Sequence, residues 1–230
     1  DAILDRNRRA DKAIVKSNIK KCNPKYFMPY AGFFKEKAKR DSEILSRNVK
    51  NKIEDFRDIK GVLLNIENFD SYVFHGQEII EQTLIPRNKA LLDSPEDFIK
   101  QTFSHYLYDE KFIKQYFEKS NFTKDFVLYV ALTNDDFSQI RNFITVDFRD
   151  VETQIKFDRF HWKEIKKDLK KREELPFNSL HIKVRQDAFL WVIYNQMPWE
   201  DLSIGFQCRI DRVLDVYNVD FWHHFTNIYL

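Results

Sequence analysis

Apolar residues recur every three or four positions in several stretches of the chain, and this spacing predicts amphipathic helices. Shorter apolar or alternating stretches predict β-strands. The sequence therefore predicts an α+β fold, in which 61–66 and 71–76 form a hairpin-like pair. The predicted helices cover residues 3–21, 40–57, 95–106, 109–119, 161–174, 186–196 and 215–230. The predicted strands cover residues 25–30, 61–66, 71–76, 126–133, 143–150, 152–160, 180–185 and 202–212, with a turn at 199–202.

The order of these elements predicts two parts. Residues 1–85 read as the end of an α/β domain, and residues 86–230 as a compact antiparallel sheet with helices on one face. The first predicted helix is already under way at Asp1, which is not a methionine. We therefore expect a fragment, with sequence missing upstream.

Composition excludes several classes of protein. The 230 residues include 43% hydrophobic and 16% aromatic residues, which indicates a globular chain. Lysine and arginine (38) nearly balance aspartate and glutamate (36), so the charge does not predict a nucleic-acid partner. The charged run at 163–174 mixes both signs and reads as a solvated helix face. No apolar run is long enough to predict a membrane span.

The sequence contains none of the common motifs for nucleotide binding, serine nucleophiles or zinc. Its six histidines are scattered, and the adjacent His223 and His224 would point about 100° apart on a helix. Cys22 and Cys208 are isolated, which favours reduced thiols in a cytoplasmic protein. Asp135 and Asp136 lie between two predicted strands and are typical of a turn.

One polar pair is a candidate for binding an anion. Gln207 and Arg209 lie two residues apart in a predicted strand, so they share one face of it. Gly205 in the same strand predicts a bulge, or a close approach by a ligand or another backbone. Arginine presents a fork of donors that suits a carboxylate or a phosphate. The alternative interpretation is an exposed face, with Ile204 and Cys208 among the residues on the buried side.

Three blocks of sequence together resemble one known family. The first block is KAIVKSNIKKCNPKYFMPYAGFFKEKAKRD, at residues 12–41. The second is KFIKQYFEKSNFTKDFVLYVALTNDDF, at 111–137, and the third is PWEDLSIGFQCRIDRVLDVYNVDFWHHF, at 198–225. In this order they resemble the C-terminal half of the CMP-N-acetylneuraminate hydroxylases, and they span nearly the whole chain.

The resemblance implies a fold and an activity. The full protein would carry an N-terminal Rieske [2Fe-2S] module and an iron-binding metallo-β-lactamase-like αββα domain. It would act as a monooxygenase on a CMP-linked or related acidic sugar, with electrons arriving through the Rieske cluster. This chain would hold the C-terminal edge of the αββα domain and the domain that follows. Most ligands of the iron and of the [2Fe-2S] cluster would lie upstream, outside this chain. Its partner would be the missing N-terminal half or an electron-transfer protein.

The resemblance also implies site residues. The turn after the first strand would lie at the mouth of the metal site, with Tyr30, Gly32 and Phe34 against the substrate. The family often places a histidine a few residues further on, and here the matching segment has none. Glu36 or Asp41 would then replace it as a metal ligand, because carboxylates also bind iron.

Two alternatives stay open at this point. The same fold with two metals supports a hydrolase that cleaves phosphodiester or related bonds with a metal-bound hydroxide. The absent histidine equally favours a non-catalytic split or degenerate domain that binds a partner.

Overall fold

The computed structural model describes residues 2–27, 38–42, 62–64, 71–83, 95–171, 177–213 and 217–227. The chain divides into two compact units, Asp1–Pro95 and Glu96–Leu230. The boundary predicted from the sequence lies near residue 85.

The described residues of the first unit form a long helix, a 3₁₀ helix and two small sheets. Strands β1 and β2 pair in parallel, whereas β3 and β4 form an antiparallel hairpin closed at Gly76, which has a φ of +59°. The predicted pairing of 61–66 with 71–76 is therefore wrong, because a tight glycine turn pairs β3 with the next segment. The elements are α1 (Ala2–Cys22), β1 (Tyr26–Phe27), a 3₁₀ helix (Lys39–Asp41), β2 (Val62–Leu63), β3 (Ser71–His75) and β4 (Glu78–Thr83).

The second unit is built on a five-stranded sheet with the strand order β7-β6-β5-β8-β9. Neighbouring strands are antiparallel except for the central pair β5 and β8, which run parallel. The predicted all-antiparallel sheet is thus corrected to a mixed one, because the helix-containing segment between β5 and β8 brings the chain back to the same end. The strands are β5 (Phe126–Thr133), β6 (Ile140–Asp147), β7 (Gln154–Lys156), β8 (Asn178–Arg185) and β9 (Cys208–Val213).

Six helices of the second unit lie within the described residues. In helix α3 the sequence determines both the start and the buried face. Asp109 caps the helix, because its Oδ1 accepts hydrogen bonds from the Lys111 and Phe112 N–H groups. Ile113 and Phe117 are buried on one face of the helix. The helices are α2 (Pro95–Phe103), α3 (Glu110–Lys119), α4 (Trp162–Lys171), α5 (Gln186–Tyr194), α6 (Glu200–Ile204) and α7 (Val219–Asn227).

The core lies on one face of this sheet and is unusually aromatic. Alternate residues of β5 and β8, such as Leu128 and Ile182, contribute to it together with side chains of α3, α5 and α7. Burial of so many rings is the main source of stability in this unit. The largest fully buried apolar side chains include Trp199, Phe117, Phe126, Phe148, Phe189, Phe221 and Phe225.

Helix α4 lies on the other face, called the outer face below. Its Trp162 and Lys166 side chains hydrogen-bond to Asp211, and the Trp162 ring stacks on His181. His181 sits between two core-facing residues of β8, so its side chain points away from the core. The prediction of helices on one face only is therefore wrong for α4, whose Trp162 and Lys166 contact the outer face.

The segment before β9 also differs from the prediction. Residues 200–204 form a short helix, and the strand starts only at Cys208. Gly205 ends this helix, and a Cβ atom at Gly205 would lie 2.7 Å from the Asp201 carbonyl oxygen. This contact is with the carbonyl of its own short helix, so the predicted position of Gly205 in a strand, with a bulge or an approach by another backbone, is wrong.

Candidate functional site

Three basic side chains gather around one phenylalanine at an end of the sheet. Strands β5 and β8 both finish here, and β9 starts here, so the topology brings their polar ends together. Phe137 lies on the turn between β5 and β6 with a φ of +63° and is 9% exposed. The basic cluster, as it is called below, consists of Lys183, Arg185 and Arg209 around Phe137.

Lys183 and Arg209 face each other directly across β8 and β9. Lys183 Nζ donates a hydrogen bond to the Phe137 carbonyl oxygen at 2.7 Å, and the Arg209 guanidinium lies 4.3 Å from the Phe137 ring centroid. Neither side chain forms a salt bridge within the described residues. Like charges directly opposite each other are destabilising in a sheet. An anion bound between them would relieve that repulsion.

Arg185 has a different role, because its side chain is fully buried. Its Nε donates to the Asp135 carbonyl oxygen at 2.7 Å, and its Nη1 donates to Gln207 Oε1 at 3.1 Å. Its guanidinium also lies 4.9 Å from the Phe137 ring centroid. A buried arginine requires such partners. We assign Arg185 to holding the turn and Gln207 in place, which positions the surface that Lys183 and Arg209 present.

The predicted pair Gln207 and Arg209 lies on the same side of the sheet, with unequal roles. Gln207 Oε1 accepts from Arg185, and its Nε2 donates to the Gly205 carbonyl oxygen at 2.6 Å, so both ends of its amide bond to the protein. Among the described residues, Arg209 donates a hydrogen bond only to the Cys208 carbonyl oxygen, at 3.2 Å. Of this pair, Arg209 retains more donors for a ligand.

The alternative interpretation, an exposed polar face with Ile204 and Cys208 on the buried side, is correct for Cys208 but not for Ile204. Cys208 is buried, which raises the pKa of its thiol to about 12, but Ile204 is 71% exposed.

The next residues along the outer face form a separate aromatic and charged group. Asp211 accepts from Lys166 Nζ at 2.6 Å and from Trp162 Nε1 at 2.9 Å. Burial works to raise the pKa of Asp211, but these hydrogen bonds outweigh it and lower the pKa below its ordinary value. Asp211 is thus paired with Lys166 and is not the counter-ion of Arg209. The His181 ring stacks on Trp162 at 4.9 Å, and burial lowers the pKa of His181 to about 4.

The site residues implied by the resemblance fall largely outside the described residues. Tyr30, Gly32, Phe34 and Glu36 lie there, so their roles stay predictions. Asp41 is the last residue of the 3₁₀ helix Lys39–Asp41. Within the described ranges, no three histidine, cysteine, aspartate or glutamate side chains converge in a way that suits a metal ion. No helix in those ranges is both long and apolar enough to cross a membrane.

Sequence reasoning missed Phe137, Lys183 and Arg185. Asp135 and Asp136, just before Phe137, predict a turn, and the structure confirms this turn. In it, Asp136 Oδ1 accepts a hydrogen bond from the Ser138 N–H at 3.0 Å. The sequence does show that Lys183 and Arg185 lie two residues apart at the end of a predicted strand, so both side chains point to the same face. These two residues indicate a basic cluster only once the register of β8 and β9 is known, because it places Arg209 opposite Lys183.

Comparison with known proteins supports the family resemblance. The chain is similar to the human protein named inactive cytidine monophosphate-N-acetylneuraminic acid hydroxylase, with 27% identity over 90% of this chain and 42% of that protein. The hydroxylases of the same name from Mus musculus and Sus scrofa are also 27% identical over 90% of this chain, covering 37% and 49% of those proteins. The predicted resemblance is confirmed, and the chain spans less than half the length of these relatives.

No family model matches the chain. No solved structure matches it either, so the metallo-β-lactamase-like identity of the first part stays a prediction.

Proposed function

We propose that this chain is part of a hydroxylase-like protein that acts on a CMP-linked or related acidic sugar, and that Lys183 and Arg209 bind an anionic group of that substrate. The observation that carries the proposal is the pair of opposed cations without a salt bridge in the described residues. The similar proteins are named for a substrate that contains a phosphate and a carboxylate, and both groups suit these side chains.

Arg209 and Lys183 would contact the anion in different ways. Arg209 offers a planar fork of donors, 4.3 Å from the Phe137 ring centroid, and such a fork suits two oxygens of one carboxylate or phosphate. Lys183 is tethered to the Phe137 carbonyl oxygen and offers a point charge beside the fork. Because Arg185 bonds to the turn through the Asp135 carbonyl oxygen, Phe137 and the pair beside it are preorganised before a ligand arrives.

Iron and a [2Fe-2S] cluster belong to the proposal for the longer protein only. Iron would supply the oxygen chemistry, and Glu36 and Asp41 are the residues of this chain proposed to help hold it. The described residues do not provide a metal-binding set, so the role we derive for them is to bind and orient the substrate.

A non-catalytic role is a second candidate, because the human relative is named an inactive hydroxylase. In that case the chain would keep the ability to bind an acidic sugar nucleotide without transforming it. Both candidates require the basic cluster to bind an anion.

The direct test is calorimetric titration of the whole chain with CMP-N-acetylneuraminate. Hydrogen bonds to charged groups contribute about 1.5–3 kcal/mol, so Arg209→Ala should weaken binding about 10- to 100-fold. Lys183→Ala should weaken it as well, and Arg209→Lys should recover part of the affinity by restoring the charge. The matched control is Arg159→Ala, which removes an exposed arginine outside the cluster.

Thermal unfolding of each variant checks that the fold survives. An unchanged dissociation constant in Arg209→Ala, with the fold intact, would remove the basic cluster from the substrate site. No binding to the wild-type chain would refute the proposal as a whole.

A further inference from the structure

Strand β9 is an edge of the five-stranded sheet, because among the described strands it pairs only with β8. In β8, the Asn178 N–H donates to the Asp125 carbonyl oxygen on the β5 side, whereas the Arg185 N–H donates to the Gln207 carbonyl oxygen just before β9. Even-numbered residues of β8 therefore point their backbone groups toward β5, since the direction alternates along a strand. Even-numbered residues of β9 lie opposite them, so their N–H and C=O groups point away from β8 to the free edge.

The residues that point outward are Cys208, Ile210 and Arg212. Two charged side chains reach the same edge, because Arg209 Nη1 donates to the Cys208 carbonyl oxygen at 3.2 Å and Asp211 Oδ1 accepts from the Arg212 N–H at 2.9 Å. Ile210 lies between them, is 39% exposed, and its backbone groups form no hydrogen bond within the described residues. An open edge with an exposed isoleucine at its centre is a template for pairing with another strand.

The charges on this edge are complementary to those on a second copy of it. In an antiparallel pair of β9 strands centred on Ile210, each Ile210 faces its counterpart, and Arg209 of each copy faces Asp211 of the other. The two-fold symmetry of such a pair makes both charge contacts at once. Opposite charges directly across an antiparallel pair stabilise it.

Both members of this charge pair are available at the edge. The Asp211 carboxylate is held by Lys166 and Trp162 of α4, yet its side chain remains 43% exposed. The hydrogen bonds from α4 lower its pKa, so it is charged at neutral pH. Arg209 forms no salt bridge within the described residues. A fixed carboxylate thus lies one residue beyond Ile210, and an arginine with open donors lies one residue before it.

We propose that two copies of this chain associate through β9, in an antiparallel register centred on Ile210, with Arg209 of each copy paired with Asp211 of the other. The Ile210 N–H of each copy donates to the Ile210 carbonyl oxygen of its partner, and the two sheets become continuous. The inference is separate from the proposed function, because an arginine has five N–H donors and retains some for a ligand after it pairs with one carboxylate.

The test measures the mass of the whole chain by light scattering as its concentration rises from about 1 μM to about 1 mM. The mass should increase from that of one chain to that of two, and added salt should oppose the increase. Hydrogen exchange locates the interface. The Ile210 amide should exchange at least about tenfold more slowly in the dimer, because it is hydrogen-bonded only there.

A backbone variant tests the register. Ile210→Pro removes an N–H that points outward, so each copy should still fold, since an edge strand tolerates proline on its open side. The dimer loses two hydrogen bonds, so its dissociation constant should rise at least about tenfold. Ile210→Val keeps the N–H and is the matched control, which should dimerise like the wild type.

Charge variants test the pairing. Arg209→Asp places like charges opposite each other at both contacts and should weaken the dimer at least about tenfold. Asp211→Arg should do the same, and a mixture of these two variants restores opposite charges at both contacts. The mixture should therefore form a dimer that neither variant forms alone. Arg159→Asp, a charge reversal at an exposed arginine outside β9, is the control and should dimerise like the wild type.

The outcomes separate this inference from the proposed function. A chain that stays monomeric at every concentration overturns the dimer, as does a dimer in which Ile210→Pro, shown to fold by thermal unfolding, changes nothing. Asp211→Arg also loses its bonds to α4, so Arg209→Asp and Ile210→Pro decide the result if Asp211→Arg does not fold. Lys183→Ala should weaken CMP-N-acetylneuraminate and leave the dimer intact, whereas Ile210→Pro should do the opposite.

Discussion

Acidification from pH 7 to pH 5 is expected to destabilise the second unit through His181. This side chain lies between Trp162 and Phe160, with ring centroids at 4.9 and 5.7 Å, and burial is the largest cause of its low pKa. Among the charged groups that act on it, Asp211 favours the protonated form, whereas Lys183 and Lys166 oppose it. The folded-state pKa of about 4 compares with an ordinary value of 6.5.

The sign follows from proton binding. Between pH 6.5 and 4 the unfolded chain binds a proton at His181 and the folded chain does not, so stability falls as pH falls. Each pKa unit corresponds to about 1.4 kcal/mol, so the full effect below pH 4 is about 3 kcal/mol. The part lost between pH 7 and pH 5 is about 2 kcal/mol.

The assay is urea denaturation at pH 7, 6 and 5, followed by tryptophan fluorescence. All 4 tryptophans lie in the second unit, so the signal reports on this unit alone. His181→Phe keeps an aromatic ring in the stack but cannot bind a proton, so it should lose about 2 kcal/mol less than the wild type over this interval. The control is His105→Phe, at an exposed histidine of the same unit. Parallel pH dependence in the wild type and His181→Phe would refute this reasoning.

Three further substitutions test the packing around the site by the same denaturation assay. Tyr116→Phe should cost about 1–3 kcal/mol, because the buried Trp199 Nε1 loses its acceptor at 2.7 Å; no change would mean that water or another group replaces it. Asp109→Ala should cost about 1 kcal/mol by removing the N-cap of α3, and Asp109→Asn should retain most of that stability. Gly205→Ala should cost about 1–3 kcal/mol, because its Cβ would meet the Asp201 carbonyl oxygen at 2.7 Å; a neutral result would show that α6 shifts easily.

The best-predicted elements are those whose local pattern agrees with their burial. Strand β5 was predicted with the same limits as observed, because an apolar run of this length suits a central strand covered on both faces. The segment before β9 was mispredicted, because Ile204 and Phe206 read as strand residues. Trp199 is fully buried in the core, and the acidic residues after it start a helix, so tertiary anchoring outweighed the local β-propensity.

The sequence alone could indicate only part of the candidate site. Gln207 and Arg209 were proposed because they lie two residues apart in a predicted strand, which is a local property. Lys183 joins Arg209 through the register of β8 and β9, and Phe137 joins both through a turn some 46 residues from Lys183 in sequence. Such non-local pairing depends on the whole topology, and a single sequence does not encode it in any short pattern.

The arrangement of the site also bears on which functional hypothesis to test first. A hydroxylase, a hydrolase and a non-catalytic binder on this fold differ in the metal chemistry, and the residues proposed for it lie largely outside the described ranges. All three can be tested first at the basic cluster, where two opposed cations have no salt bridge in the described residues. Ligand binding by the second unit is therefore the step to measure before any activity. Comparing CMP-N-acetylneuraminate with inorganic phosphate as ligands then distinguishes a sugar-nucleotide protein from one that recognises only a phosphate or carboxylate.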